Sequence, residues 1–151
     1  MNEQEYAGFW IRTGAAIIDS ILIFIVTLPI LLAVYGTDYS TSESLSVSFW
    51  DVLLNYILPA MAVIIFWVYK SATPGKMATK LTIVDAKTGG KPTTGQFIVR
   101  YLGYYVSIIP LFLGIIWVGI DKRKQGWHDK LAGTVVIRNS KPEPVEFENQ
   151  P

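Results

Sequence analysis

Apolar residues in this chain gather into three long runs, separated by polar stretches of differing character. The first run, Gly14–Val34, and the second, Val52–Tyr69, approach the ~20 mostly apolar residues that a membrane-crossing helix needs. The third, Phe97–Ile120, is long enough as well but carries Pro110 in its middle. Proline lacks a backbone donor and clashes with the preceding turn, so a break is expected there, and a new helix can start from it. Two short stretches follow another pattern. Lys80–Ala86 (KLTIVDA) and Gly133–Arg138 (GTVVIR) are rich in β-branched residues and read as strands.

These patterns predict an all-α membrane protein with three apolar segments. The third is expected to be broken at Pro110 into a short helical hairpin, about Thr94–Ile109 and Pro110–Asp121. A single plain third span is the alternative. A lone strand is not stable, so the two strands are expected to pair as a small cytoplasmic two-stranded β element. Pairing requires both on one side of the membrane, which a re-entrant third segment satisfies. Broken helices of that kind occur where backbone is buried in protein or lines a cavity.

Charge supplies the orientation. No Lys or Arg occurs from Thr13 to Tyr69, and the connection Tyr35–Trp50 is polar, serine-rich and mildly acidic. Lys70–Gln96 then carries Lys70, Lys76, Lys80, Lys87 and Lys91 against Asp85 alone. The excess of basic residues places this loop in the cytoplasm and, by alternation, the N-terminus with it. Asp121–Arg138 is basic too, which puts the C-terminal tail on the same side. Gly89-Gly90 followed by Pro92 marks a turn, and the polar, proline-containing tail from Asn139 reads as disordered. One membrane domain, 7–138, and a tail, 139–151, follow. The leader Met1–Trp10 has Glu3 and Glu5 and no basic residue, so the first run reads as a retained span rather than a cleaved signal.

Composition changes this picture little. Of 151 residues, 51% are hydrophobic and 17% charged, and the net charge is +1. The basic residues sit beside membrane segments, which gives no surface for nucleic acid. Cysteine is absent, excluding disulfides and thiol chemistry.

Arg12 and Asp19 depart from the apolar pattern. Seven residues apart, they share a helical face with Ala16, Ile23 and Thr27. An Asp within a span costs ~2.5–3.5 kcal/mol on insertion scales. A neutral acid, an ion pair with arginine or a polar cavity would each relieve that cost. The bland reading is an Arg–Asp clamp that fixes helix packing. The functional one is a proton- or cation-coupling carboxylate, since intramembrane acids mark ion pathways.

Other polar residues carry weaker expectations. Asn55 shares a face with Asp51 and is expected to bond a neighbouring helix or Asp19. Arg100 is expected to reach lipid phosphate or to balance an aspartate. His128 and Asp129 are read as a surface pair that anchors the tail on the inner loop. Tyr101, Tyr104, Tyr105, Trp117 and Trp127 read as interface anchors. TPGKMATK lacks the GxxxxGK[ST] spacing of a phosphate loop. With no catalytic constellation and no set of metal ligands, neither an enzyme nor a metal or cofactor is expected.

The segments IRTGAAIIDSILI, TPGKMATKLTIVDAKTGGKPT, VRYLGYY and GWHDKLAGTVVI together resemble the RDD family of bacterial membrane proteins. That family is named for an arginine at the start of its first helix and two aspartates, the first within that helix. Arg12 and Asp19 fall on these two positions. The second aspartate fits Asp129, with Asp121 as a rival. The resemblance implies a multi-pass protein of the bacterial cytoplasmic (inner) membrane. It implies a transporter or monovalent cation/proton exchanger, with Asp19 as coupling acid, Arg12 tuning it, and Asp129 or Asp121 at the inner mouth. The alternative is a non-transporting assembly or regulatory module in which the three residues are structural. The expected partners are the lipid bilayer and a monovalent cation or proton. A homo-oligomer is expected as well, because so few segments do not readily enclose a pathway.

Overall fold

The computed structural model describes residues 5–36 and 48–138. Most of the serine-rich connection and the tail from Asn139, expected to be disordered, lie outside the described residues.

The first apolar run forms one helix, α1, Phe9–Tyr35. None of its most apolar stretch is buried within the chain, and Ile17, Phe24, Ile25 and Val26 are all exposed. A helix apolar all round and uncovered by protein is solvated by lipid. The second span opens as α2, Phe49–Val52, passes through a π-helical turn, Leu53–Ile57, and continues as α3, Leu58–Lys70. The turn has a local cause. Pro59 offers no donor to the carbonyl of Asn55 four residues back, and its ring displaces that carbonyl. At the far end the Tyr35 hydroxyl donates to Asp51 at 2.7 Å, tying α1 to α2. Phe9–Tyr35 and Phe49–Lys70 are both long and apolar enough to cross a membrane.

Beyond Lys70 the chain reverses through Ser71, held at φ 53°, and folds back as α4, Pro74–Ala78, against α1. The crossing is so close that a Cβ on Gly75 would lie 2.1 Å from the Ala15 carbonyl oxygen. Strand β2, Leu81–Asp85, leads to α5, Thr94–Ile108. Thr93 caps α5 by accepting from the Gln96 backbone at 3.2 Å, while the Gln96 side chain accepts from the Thr93 N–H at 2.8 Å.

The third run is broken as expected, but over four residues, Ile109 to Phe112. Leu111 and Phe112 adopt φ 54° and 63°, so the next helix, α6, starts at Leu113 rather than at Pro110 and runs to Ile116. Two consecutive left-handed residues cannot continue a right-handed helix. The two pieces meet at 113°. A 3₁₀ turn, Trp117–Gly119, a basic loop, α7, Trp127–Ala132, and β3, Thr134–Arg138, complete the chain.

The expected strand pairing is present and antiparallel, from Leu81 opposite Arg138 to Asp85 opposite Thr134. The sheet is larger than expected, however. A strand β1, Glu5–Tyr6, joins the free edge of β3, so three strands lie in the order β1-β3-β2. Two residues are too few to show a period-2 pattern, which is why the sequence did not reveal β1. Ala7, Ala15, Trp67, Leu81, Ile83, Phe97 and Val136 form the core. They sit where the start of α1, the end of α3, the sheet and α5 meet. Burial therefore assembles the basic pole, and lipid solvates the rest of the spans.

Candidate functional site

Two constellations use the polar residues singled out above, and they do not coincide. Arg12 and Asp19 each have other partners. Arg12 donates Nη1 to Asp129 at 2.5 Å, Nη2 to the Lys124 carbonyl at 2.6 Å and Nε to the Ala7 carbonyl at 2.9 Å. The expected Arg12–Asp19 pair is absent because the guanidinium turns toward the loop before α7, away from the span.

Asp129, fully buried, is the hub of the first constellation. It accepts from Arg12, from Arg100 and, at 3.0 Å, from the Gly126 N–H. Burial would raise its carboxyl group, but the Arg100 and Arg12 charges prevail and hold it well below the ordinary carboxylate range. Of the two alternatives for Arg100, balance of an aspartate is the one present. It is fully buried and also donates to Thr134 at 2.7 Å. Its guanidinium carbon lies 5.5 Å from the Trp67 ring centroid and 5.8 Å from that of Tyr104, within cation–π range.

His128 corrects an expectation, for it is buried rather than on the surface. Its ring stacks on Tyr104 at 4.0 Å, and Ser107 Oγ lies 3.3 Å from Nδ1 and 3.2 Å from the His128 backbone nitrogen. Tyr104 is thus a packing partner instead of an interface anchor. Burial, reinforced by the Arg100, Arg12 and Lys76 charges and only partly opposed by Asp129, lowers the His128 pKa to about 3. The close fit of α7 on α5 depends on Gly103, where a Cβ would meet the His128 Cα at 2.9 Å.

Asp121 stands apart from this cluster. It pairs with Lys130 at 2.6 Å and accepts from the Arg123 and Gln125 backbones, shaping the basic loop. Asp129 is the carboxylate brought to Arg12.

The second constellation surrounds Asp19. Its carboxylate accepts from Thr73 Oγ1 at 2.5 Å and from the Gly75 N–H at 2.7 Å, both supplied by the segment folded back on α1. It lines a cleft of about 920 Å³ between α1, α3, α4 and α5. Thr73 and Lys76 line it beside Asp19, with Trp67, Tyr101 and Tyr104 from the neighbouring helices. The upper walls are apolar. Asn55 does not reach Asp19. It donates to the Asp51 carbonyl one turn back at 3.0 Å and lines a second hollow with Ser20 and Thr27. Sequence reading missed Thr73, Lys76, Ser107 and Thr134. The one available signal was TPGK directly after a span, where proline and glycine announce a chain reversal.

Lipid-facing spans gathered on a compact basic pole, with an ion cluster inside it, define a small integral membrane protein. The chain belongs to the RDD family, whose model matches residues 6–133. It is 40% identical over 85 residues to the uncharacterized protein RP437 of Rickettsia prowazekii (strain Madrid E), a match spanning 56% of this chain and 47% of that one. The uncharacterized protein YckC of Bacillus subtilis (strain 168) is 30% identical over 140 residues, covering 90% of this chain and 87% of its own. The uncharacterized membrane protein YteJ of the same organism is 30% identical over 142 residues, 89% and 82% of the two chains. No solved structure matches.

Proposed function

We propose that the protein is a transporter of the bacterial cytoplasmic membrane in which Asp19 carries the coupling proton or monovalent cation. The observation behind this is the setting of that one acid. Its hydrogen-bond partners are a hydroxyl and a backbone N–H, and among the described residues no Lys or Arg forms an ion pair with it. A carboxylate held by neutral donors at the edge of a cleft can exchange one cation for another, whereas one locked to arginine cannot. Arg12, Asp129 and Arg100 then act as the clamp that holds α1, α5, α7 and β3 around the cleft.

The basic pole faces the cytoplasm in this reading. The bent third segment re-enters from that side, because β2 before it and β3 after it lie in one sheet. Its apolar tip supports this, with Ile109 and Leu111 each at least 80% exposed. The proposal extends to a homo-oligomer, which would complete the pathway that two spans and a hairpin leave open.

A non-transporting assembly or regulatory module is favoured by one observation, the Arg12–Asp129–Arg100 cluster around the fully buried Asp129, whose geometry explains Arg12 and Asp129 as structure. Reconstitution of Asp19→Asn separates the readings. Transport requires that proteoliposomes lose sodium- or potassium-driven proton flux while the melting temperature in detergent stays within about 3 °C, a shift of roughly 1 kcal/mol. Absence of flux in the unsubstituted protein, or undiminished flux in the variant, removes the transport reading.

A further inference from the structure

The base of the Asp19 cleft holds more donors than acceptors. Lys76, only 8% exposed, lines the cleft, and among the described residues its ammonium makes no hydrogen bond or ion pair. Behind it the buried Trp67 Nε1 and Arg100 Nε and Nη2 have no acceptor. Asp19 does not answer them: its oxygens accept from Thr73 and Gly75, and among the described residues it forms no ion pair. Behind the cleft Arg100 and Arg12 share the single carboxylate of Asp129, with Tyr104 beside them, and within it Lys76 forms no ion pair with Asp19, so positive charge is in surplus. Unmet buried donors are costly, and a surplus cation in a half-closed site calls for an anion.

The walls above call for a hydrocarbon. Ile23, Val26 and Ile30 of α1 face Leu58 and Phe66 of α3 and Ile108 of α5, and all six are exposed. From Asp19 to Ile30 an α-helix rises ~16 Å, about half of the ~30 Å hydrocarbon layer and so the depth of one leaflet. The volume, about 920 Å³, falls within the ~300–1,000 Å³ typical of ligand sites.

We infer that the cleft seats one anionic phospholipid, with its phosphate on Lys76 and one acyl chain lying along α1 up to Ile30. The lipid closes the side of the cleft that faces the membrane. A zwitterionic choline lipid fits less well, because it brings no net negative charge to the surplus cation. A helix from a second copy would cover the walls but leave Lys76 unmatched. The inference goes beyond the transport reading and does not depend on it, because the lipid is weighed rather than moved.

The test uses the full chain in an uncharged detergent, supplied with phosphatidylglycerol, phosphatidylcholine of the same acyl chains, or inorganic phosphate. Native mass spectrometry should retain one phosphatidylglycerol per chain. At a hundredfold excess over its dissociation constant that lipid should raise the melting temperature by about 5–10 °C. Phosphatidylcholine and inorganic phosphate should each give less than a third of that shift. Lys76→Gln should abolish it, whereas Lys76→Arg keeps it. Equal shifts from both lipids, an undiminished shift in Lys76→Gln, a full response to phosphate alone, or a lipid-free dimer that ignores Lys76→Gln would overturn the inference. Flux through Asp19→Asn bears on transport and leaves this outcome untouched.

Discussion

At the scale of single residues, His128 carries the clearest pH dependence. The fold holds it neutral, with a pKa near 3 against about 6.5 in an unfolded chain. As pH falls below about 6.5 the unfolded state takes up a proton that the folded state refuses. The stability contribution is therefore whole above 6.5 and lost progressively down to 3. Between pH 7 and pH 5 the loss amounts to about 2 kcal/mol. His128→Phe keeps an aromatic ring on Tyr104 and cannot titrate. Denaturation in detergent at the two pH values should show the unsubstituted protein losing that stability and the variant losing little of it. Asp129 behaves differently. Its folded pKa is depressed, so its contribution stands above about 3.9 and declines only below that, outside this window.

At the scale of elements, the contact of α5 with α7 rests on a glycine. A methyl group at Gly103 would press on the His128 backbone, which cannot rotate away. Gly103→Ala should cost about 1–3 kcal/mol, as overpacking does. Gly95→Ala in the same helix meets nothing nearer than 3.9 Å and should be neutral or slightly stabilising. A comparison of their melting curves checks both. The elements also differ in how far the sequence disclosed them. The spans were legible, because length and apolarity are properties of a segment alone. The β2–β3 pairing was legible because two β-branched strands need each other. The partners of Asp19 were not, since Thr73 and Gly75 lie 54 and 56 residues away. They arrive through a reversal at Ser71, a serine in a conformation that glycine favours. Arg100 stayed ambiguous for a similar reason, because only the sheet register sets Thr134 beneath α5. His128 read as surface, one half of a pair with Asp129, yet the glycine at 103 lets α7 sink onto α5.

At the scale of the whole molecule, the two ends of the domain are joined. Strand β1 precedes the first span and pairs with β3 at the end of the domain, and the Arg12–Asp129 bond closes over 117 residues. Time is the consequence. A chain emerging from the ribosome at ~5–20 residues per second delivers Arg12 well before any carboxylate that can neutralise it. The first span must therefore enter the bilayer with its arginine still solvated or snorkelling toward the headgroups. Only when GWHDK appears can the cluster form, so its closure reports that synthesis has reached the end of the domain. A chain ending at Gln125 should still insert both spans. With Arg12 and Arg100 lacking the carboxylate whose loss costs about 3–5 kcal/mol, it should be cleared several-fold faster in a pulse-chase than the full chain. Equal lifetimes would mean that the cell does not read this bond. The ion cluster is in this sense a completion mark, written by the last helix onto the first.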